Sequence, residues 1–516
     1  MLAPAVAQTV GPLVQITADD PFATCTADNV AQQEKSIGSI LFSNTAIEPW
    51  VAVDTSTDPP GLLVGHQQDR WNDGGSRGLV GNRSTDGGST WKETIPGGVS
   101  ECTGGSLVRA SDPWVTFSPK GHAFFSSLVS NPSRTPAFGV SGGGQLVSRS
   151  TDHGATWEAP ITLITDGANV LNDKNSITAD PLDENFVFTV WDRLVLGASN
   201  GAVGSDGVAI AQSRLPGTPA NAIGPHPSRG PTLLSRTTNG GDSWETPRVI
   251  FDPGVDSQTI NNQTVVLPNG DVLVFFSELL SSGVNNIAFV RSTDKGFTFD
   301  ATPTIATNIE VVRTFTPDEH SLVRDASLLF SVNVDPNVKP DGAIYLVWQD
   351  CRFGTHDCGS ATPVDDVAFI QSLDAGKTWS APAMINKTPQ DLGNPLRQQA
   401  FIPAITSAGD GTLAVTYYDF RNDVSTAGEE LVDYFAVFCT AATADCTDAR
   451  NWKNERRLTT GPISHFNILD APNAAGHFLG DYMGLVASGS NVTPVFGAVT
   501  GHNLTADFTR MITLPH

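Results

Sequence analysis

Ser84-Thr85-Asp86-Gly87-Gly88-Ser89-Thr90-Trp91 decides the fold, because the chain repeats it. The pattern returns as Ser150-Thr-Asp152-His-Gly154-Ala-Thr156-Trp157, as Ser292-Thr-Asp294-Lys-Gly296-Phe-Thr298-Phe299 and as Ser372-Leu-Asp374-Ala-Gly376-Lys-Thr378-Trp379. A relaxed copy reads Thr237-Thr-Asn239-Gly-Gly241-Asp-Ser243-Trp244. Recurrence at irregular spacings of 55 to 87 residues points to repeated supersecondary units rather than a short solenoid period. The chemistry is that of a hairpin turn. Asp or Asn bonds its own backbone, Gly supplies the positive φ, and the aromatic ring closes over the turn. These residues are therefore expected to be structural.

The surroundings of each copy are alike. Strand patterns with period two precede and follow it, and a unit of four strands recurs. First strands are expected near Trp50–Val53, Pro113–Phe117, Ser176–Ala179, Thr264–Leu267, Ala326–Val332, Ile402–Thr406 and Gly484–Ala487. Radial repetition of four-stranded units is a β-propeller, all-β, with seven blades expected and six as the alternative. The last unit supplies Val492–Val499 and Thr509–Leu514 but no fourth strand, so Leu13–Thr17 is expected to complete it. The whole chain, 1–516, then reads as one domain, with 9–47 as closing strand and linker and 48–516 as blades. The sixth unit lacks the repeat, and Cys439 and Cys446 before Trp452 are placed to pin the equivalent hairpin.

Composition narrows the function. The 516 residues carry 30 Lys and Arg against 54 Asp and Glu, a net charge of −24, which excludes a nucleic-acid partner or an anionic membrane surface. No apolar run is long enough for a membrane helix. Six Cys without Cys-x-x-Cys spacing read as disulfides: Cys351 with Cys358, Cys439 with Cys446, and Cys25 with Cys102. Sequons at Asn82, Asn262, Asn386, Asn491 and Asn503, and small residues over Met1 to Gln8, fit a secreted glycoprotein acting as a monomer.

The repeated octapeptide resembles the Asp-boxes, or BNR repeats, of the sialidase superfamily. That resemblance implies a propeller and covers Ser84 to Trp379 through the boxes. Sialidases of this kind carry an arginine triad opened by an Arg-Ile-Pro-like motif, a Tyr/Glu nucleophile pair and an Asp acid/base. Here the matching place reads Glu48-Pro49-Trp50, the first arginine is Arg70, and no Arg-Ile-Pro occurs. The chain also resembles, in architecture, secreted seven-bladed lyases that cleave acidic polysaccharides at rhamnose–glucuronate ends, as in gum arabic.

In a propeller the boxes mark one face, and substrates are expected on the other, built from the turns between second and third strands and from the blade linkers. Candidates there are Asp69-Arg70-Trp71, Asp192-Arg193, Glu278, Asp350-Cys351-Arg352 and Asp419-Phe420-Arg421 at second-strand ends. From the linkers come Glu48, Arg109, Asp112, Lys174, Arg324, Asp325, Arg397 and the run Gly476-His477-Phe478-Leu479-Gly480-Asp481-Tyr482. The Asp-Arg pairs have a plain reading as loop-holding salt bridges and a sharper one as a grip on a substrate carboxylate. A lone strand histidine such as His66, or a tyrosine such as Tyr418 or Tyr482, has an equally plain reading as a satisfied core residue.

The expected function is cleavage of an acidic glycan. β-Elimination at a uronate needs a cation on the carboxylate, a base for the carbon-5 proton and an acid for the leaving oxygen. His66, Arg70, Tyr418, Arg421 and Tyr482 are the expected catalytic set. Glu48, Trp71, Asp112, Lys174, Arg324, Arg352 and His477 are the expected substrate contacts. Two alternatives stay open: a sialidase-like hydrolase using carboxyl groups or a tyrosine, and a glycan-binding propeller without catalysis. No metal or other cofactor is required, although calcium can be accommodated on channel carboxylates and carbonyls.

Overall fold

The computed structural model describes residues 8–17, 19–132, 140–167, 169–195, 229–424 and 428–515. The leader-like Met1 to Ala7 lies outside the described residues. The described chain is mostly β, with one short helix at Val30–Ile37 and no helix long and apolar enough to cross a membrane.

Three separate antiparallel four-stranded sheets span residues 170–251, 258–308 and 330–384, and a fourth, over 400–457, gains a fifth strand from Phe466–Asn467. A larger 14-stranded sheet contains two further up-and-down runs, 41–94 and 109–165, joined through Ser76 and Ala110. It also holds 484–488, 491–501 and 504–509. The leading strands 41–54, 109–117, 170–179, 258–266, 330–335, 400–407 and 484–488 each touch the next, and the last touches the first. Val14–Gln15 pairs with Phe508–Thr509, and Thr9–Val10 pairs with Ile512–Thr513, so the N-terminal segment joins the C-terminal sheet.

Two sequence expectations need correction. The third strand of the C-terminal sheet is Leu504–Thr509, not Thr509–Leu514, because Ile512–Thr513 peels off to pair with Thr9–Val10. The first leading strand begins at Leu41 rather than after residue 47, since its bulged start still pairs with Arg70 and Trp71.

The repeated turns are built as their chemistry requires. At Ser150 the hydroxyl accepts the Gly154 N–H at 2.9 Å and donates to Asp152 Oδ1 at 2.8 Å. Asp152 accepts both the Thr156 N–H and the Thr156 hydroxyl. Ser150 is fully buried, so Ser150→Ala leaves an enclosed Gly154 N–H without its acceptor. The expected loss is about 1–2 kcal/mol, read as a lower urea midpoint with an unchanged slope.

All three disulfides form as paired above. The Cys439–Cys446 loop receives the Trp452 indole N–H on Cys446 O at 2.8 Å and so takes the place of the missing turn. Asn82, Asn262 and Asn386 are buried, which leaves Asn491 and Asn503 as the sequons within reach of solvent.

Candidate functional site

Six residues without the freedom of glycine sit in the left-handed region within, or just before, successive leading strands. They are Glu48 (φ 56°), Asp112 (52°), Lys174 (48°), Asn261 (62°), Ala326 (52°) and Ile402 (50°). Each such residue costs about 1–2 kcal/mol. For five of them the strand register slips at that point, between Ile47 and Trp50, Ser111 and Trp114, Asp173 and Ser176, Ile260 and Gln263, and Phe401 and Ala404. A bulge re-aims the side chain it carries. Glu48, Asp112 and Lys174 are thereby brought together where the leading strands meet.

The linker residues Arg324 and Asp481 complete the cluster. Lys174 Nζ lies 2.7 Å from Asp481 Oδ2, 3.5 Å from Asp112 Oδ2 and 3.8 Å from Glu48 Oε1. Arg324 grips Asp481 with Nε at 2.9 Å and Nη2 at 2.6 Å. The Asp481 backbone N–H donates to Glu48 Oε1 at 3.0 Å, and Gln67 donates to Glu48 Oε2. Gln67 in turn accepts from Arg70 Nη1 at 2.9 Å. Gly480 is obligatory here, because a Cβ would meet the Glu48 backbone at 2.8–2.9 Å.

All five ionisable groups are at most 5% exposed. Burial pushes the Glu48 carboxyl up to about 8; Lys174 opposes that shift, while Asp481 and Asp112 add to it. Burial also acts to raise Asp481, but Arg324 and Lys174 outweigh it and hold that carboxyl well below the usual range. Lys174 is held well above its ordinary value by Asp112, Asp481 and Glu48, against the effect of burial. Burial thus favours the protonated form of Glu48, while Asp481 is held ionised against the same ammonium. Carboxyl groups driven apart in this way can divide acid and base roles.

An aromatic wall stands beside the cluster. Trp50 stacks on Trp114 with centroids 3.4 Å apart, and the half-buried Tyr482 ring packs at 5.2 Å from Trp114 and 6.1 Å from Trp50. The Tyr482 hydroxyl donates to Pro113 O at 3.2 Å. Burial, then the charges of Glu48, Asp112 and Asp481, keep that phenol well above its ordinary value. Trp50, Asp481 and Tyr482 border a cavity of about 20 Å³, together with Asp325, Gln263 and Gln349. This is room for a water and not a sugar ring. Val323–Arg324 pairs in parallel with His477–Phe478, and Phe478 is flanked by the guanidinium groups of Arg324 at 4.1 Å and Arg70 at 5.1 Å.

The structure thus brings together Glu48, Asp112, Lys174, Arg324 and Tyr482, with Arg70 one hydrogen-bond step away. The other candidates stand elsewhere. His66 is buried, with Nδ1 3.3 Å from Asn82 and 3.8 Å from Asp507, and burial lowers it to about 4. Tyr418 donates to Gly497 O at 2.7 Å inside the apolar core. Trp71 is buried under the Arg109 guanidinium. His477 is half-buried with Nδ1 3.5 Å from Ala471 O, and burial lowers its pKa.

Two of the Asp-Arg pairs are the loop-holding bridges of the plain reading. Arg352 makes two 2.6 Å contacts to Asp350, and Arg421 is shared between Asp419 and Glu455. In the remaining two pairs, Arg193 bonds Asp166, and Asp69 faces Arg77 at 3.7 Å.

Among the described residues, Asp318, Asp423 and Glu430 are near enough to share an ion, but Glu430 already accepts the Asp318 and Glu319 N–H groups.

Trp50 and Trp114 were not among the expected contacts, whereas Asp481 was a linker candidate. The signal was present: acid-Pro-Trp occurs twice, as Glu48-Pro49-Trp50 and Asp112-Pro113-Trp114, at the same bulge of adjacent sheets.

No family model and no curated protein matches the sequence. Among solved structures, the chain is similar to a Hadza microbial sialidase, Hz136, at 14% identity, covering 87% of this chain and 76% of that one, with a TM-score of 0.44. It is similar to a Penicillium chrysogenum α-L-arabinanase at 12% identity, covering 79% and 94%, with a TM-score of 0.44. NanB sialidase from Streptococcus pneumoniae matches at 11% identity over 99% of both chains, with a TM-score of 0.42. At such distances the likeness carries no weight for the chemistry.

Proposed function

We propose that this chain is a secreted seven-bladed β-propeller that hydrolyses a glycosidic bond at the Glu48–Asp112–Lys174–Asp481 cluster. Support for the propeller comes from the leading strands that touch in sequence and return to the first. Support for secretion comes from three disulfides and no free cysteine among the described residues. The observation that carries hydrolysis is one ammonium ringed by three carboxyl groups, with Glu48 raised by burial and Asp481 lowered by Arg324 and Lys174.

In this reading Glu48 protonates the leaving oxygen, and Asp112 serves as base or nucleophile. Asp481, fixed by Arg324, stabilises developing positive charge, while Trp50 and Tyr482 offer a face to the sugar. Elimination lacks comparable support, because none of His66, Tyr418 and Arg421 contacts the Glu48–Lys174–Arg324 cluster: His66 and Tyr418 lie near Asp507, and Arg421 is held by Asp419 and Glu455. A sugar enters only if the Trp50–Tyr482 side or the 323–324/477–478 bridge moves. The same burial favours a second reading, in which the cluster is a structural plug and the propeller binds glycans without cleaving them.

The test is release of product from a panel of aryl glycosides, sialosides included. Ultraviolet absorbance of unsaturated uronate is followed in parallel on gum arabic. Hydrolysis that falls by about 10²-fold or more in Glu48→Gln, in a variant that still melts cooperatively, is the expected result. Unsaturated product establishes elimination instead, and silence across both assays leaves the binding reading.

A further inference from the structure

Along the axis of the proposed propeller, four of the leading strands, 41–54, 330–335, 400–407 and 484–488, border a second, larger space. Its volume is about 520 Å³, and Trp50, Ser331 and Met483 separate it from the small cavity beside the charged cluster. Its walls are the far ends of the leading strands, with Thr406 and Ser407 on one side and Asn333 on another. None of its 21 lining residues is ionisable, in a chain where 16% of residues are charged. The wall is hydroxyls, amides, small aliphatic groups and the half-buried face of Trp50, which Trp114 backs by stacking.

From this we infer that the axial cavity is a binding site for a neutral mono- or disaccharide unit. The volume falls within the range of small-molecule sites, about 300–1,000 Å³. An indole fixed from behind gives a sugar's C–H face a rigid apolar floor. Ser331, Thr406, Ser407 and Asn333 give its hydroxyls partners of both kinds. A uronate or sialate carboxylate would lose its water here and meet no cation, so acidic sugars are excluded. The site shares Trp50 with the wall beside the charged cluster, but none of the cluster's ionisable groups lines it, and its occupancy does not depend on that cluster being catalytic.

Isothermal titration of the full chain with cellobiose, lactose and arabinobiose, against digalacturonate, tests the assignment. At least one neutral disaccharide binds with one-to-one stoichiometry and at least about tenfold more tightly than digalacturonate. Ser407→Phe, which fills the cavity, abolishes that binding while leaving thermal unfolding and any activity at the charged cluster unchanged. No heat from any neutral probe at about 10 mM overturns the site, as does equal binding of digalacturonate. Binding that survives Ser407→Phe, in a variant that melts like the parent, overturns it too. If Ser407→Phe unfolds, quenching of Trp50 fluorescence by the bound probe, absent in Trp50→Phe, replaces it.

Discussion

Asp481→Asn lowers the unfolding free energy by about 3–5 kcal/mol. The substitution keeps the shape of the side chain and removes the one carboxylate that both Lys174 and Arg324 grip. Two cations, each at most 5% exposed, are then enclosed with Glu48, whose protonated form burial favours, and Asp112. The small cavity beside Asp481 has room for no more than about one water, and removing one partner of a buried pair strands the other. Urea denaturation measures the loss, and added salt leaves it nearly unchanged because buried charges are poorly screened. The solvent-facing pair Asp448–Arg450 is the control, and Asp448→Asn leaves the urea midpoint where it was. A loss at Asp481 below about 1 kcal/mol would mean that the cluster is hydrated and its electrostatics are those of a surface.

Stability falls as pH rises from about 5 to about 9, by several kcal/mol in total. The sign follows from the direction of the shifts. Glu48 is raised to about 8, Asp507 to about 8 and Asp69 to about 7, in each case chiefly by burial. A carboxyl whose folded value lies above its unfolded one favours the folded state when protonated. That contribution is complete below the unfolded value, near 4, and disappears as pH climbs through 7 and 8.

The opposing groups act lower on the scale. Asp152 and Asp374 in the repeated turns are lowered to about 2, despite partial burial, by bonds from Thr156 and Thr378. Asp481 is lowered as well, so these groups withdraw their support only as pH falls below about 4. Melting temperature recorded against pH should therefore peak near 4 to 5 and decline steadily toward 9. A melting temperature that is flat or rising from pH 5 to 8 would show that the buried acids are ionised in the folded chain.

The turns were readable in sequence because their chemistry is local. Ser84, Asp86, Gly88 and Thr90 bond within five residues of one another, so spacing alone discloses them. The pairing of Val14–Gln15 with the C-terminal sheet was readable for a different reason, an unmatched strand at each end. The charged cluster was legible only as a set of names. Glu48, Asp112 and Lys174 could be placed at strand starts, but their convergence depends on bulges that leave no mark in period-two patterning. His66 and Tyr418 were misleading because strand alternation gives the face of a side chain and not whether that face packs against another sheet. Arg352 and Arg421 show the same limit from the other side, since an Asp two residues earlier satisfies each of them before any ligand can.

The pairing of residues 9–15 with residues 508–513 has a consequence for biosynthesis. Residues 9–15 have no partner until residues 508–513 have been made. Each intermediate sheet can form on emergence from local hairpins, yet the N-terminal segment waits for the edge of 504–509. Unpaired strand edges are templates for pairing with another chain. The segment is thus open to such pairing for as long as the sheets between are being made. Loss of residues 9–17 would leave that edge of 504–509 permanently uncovered.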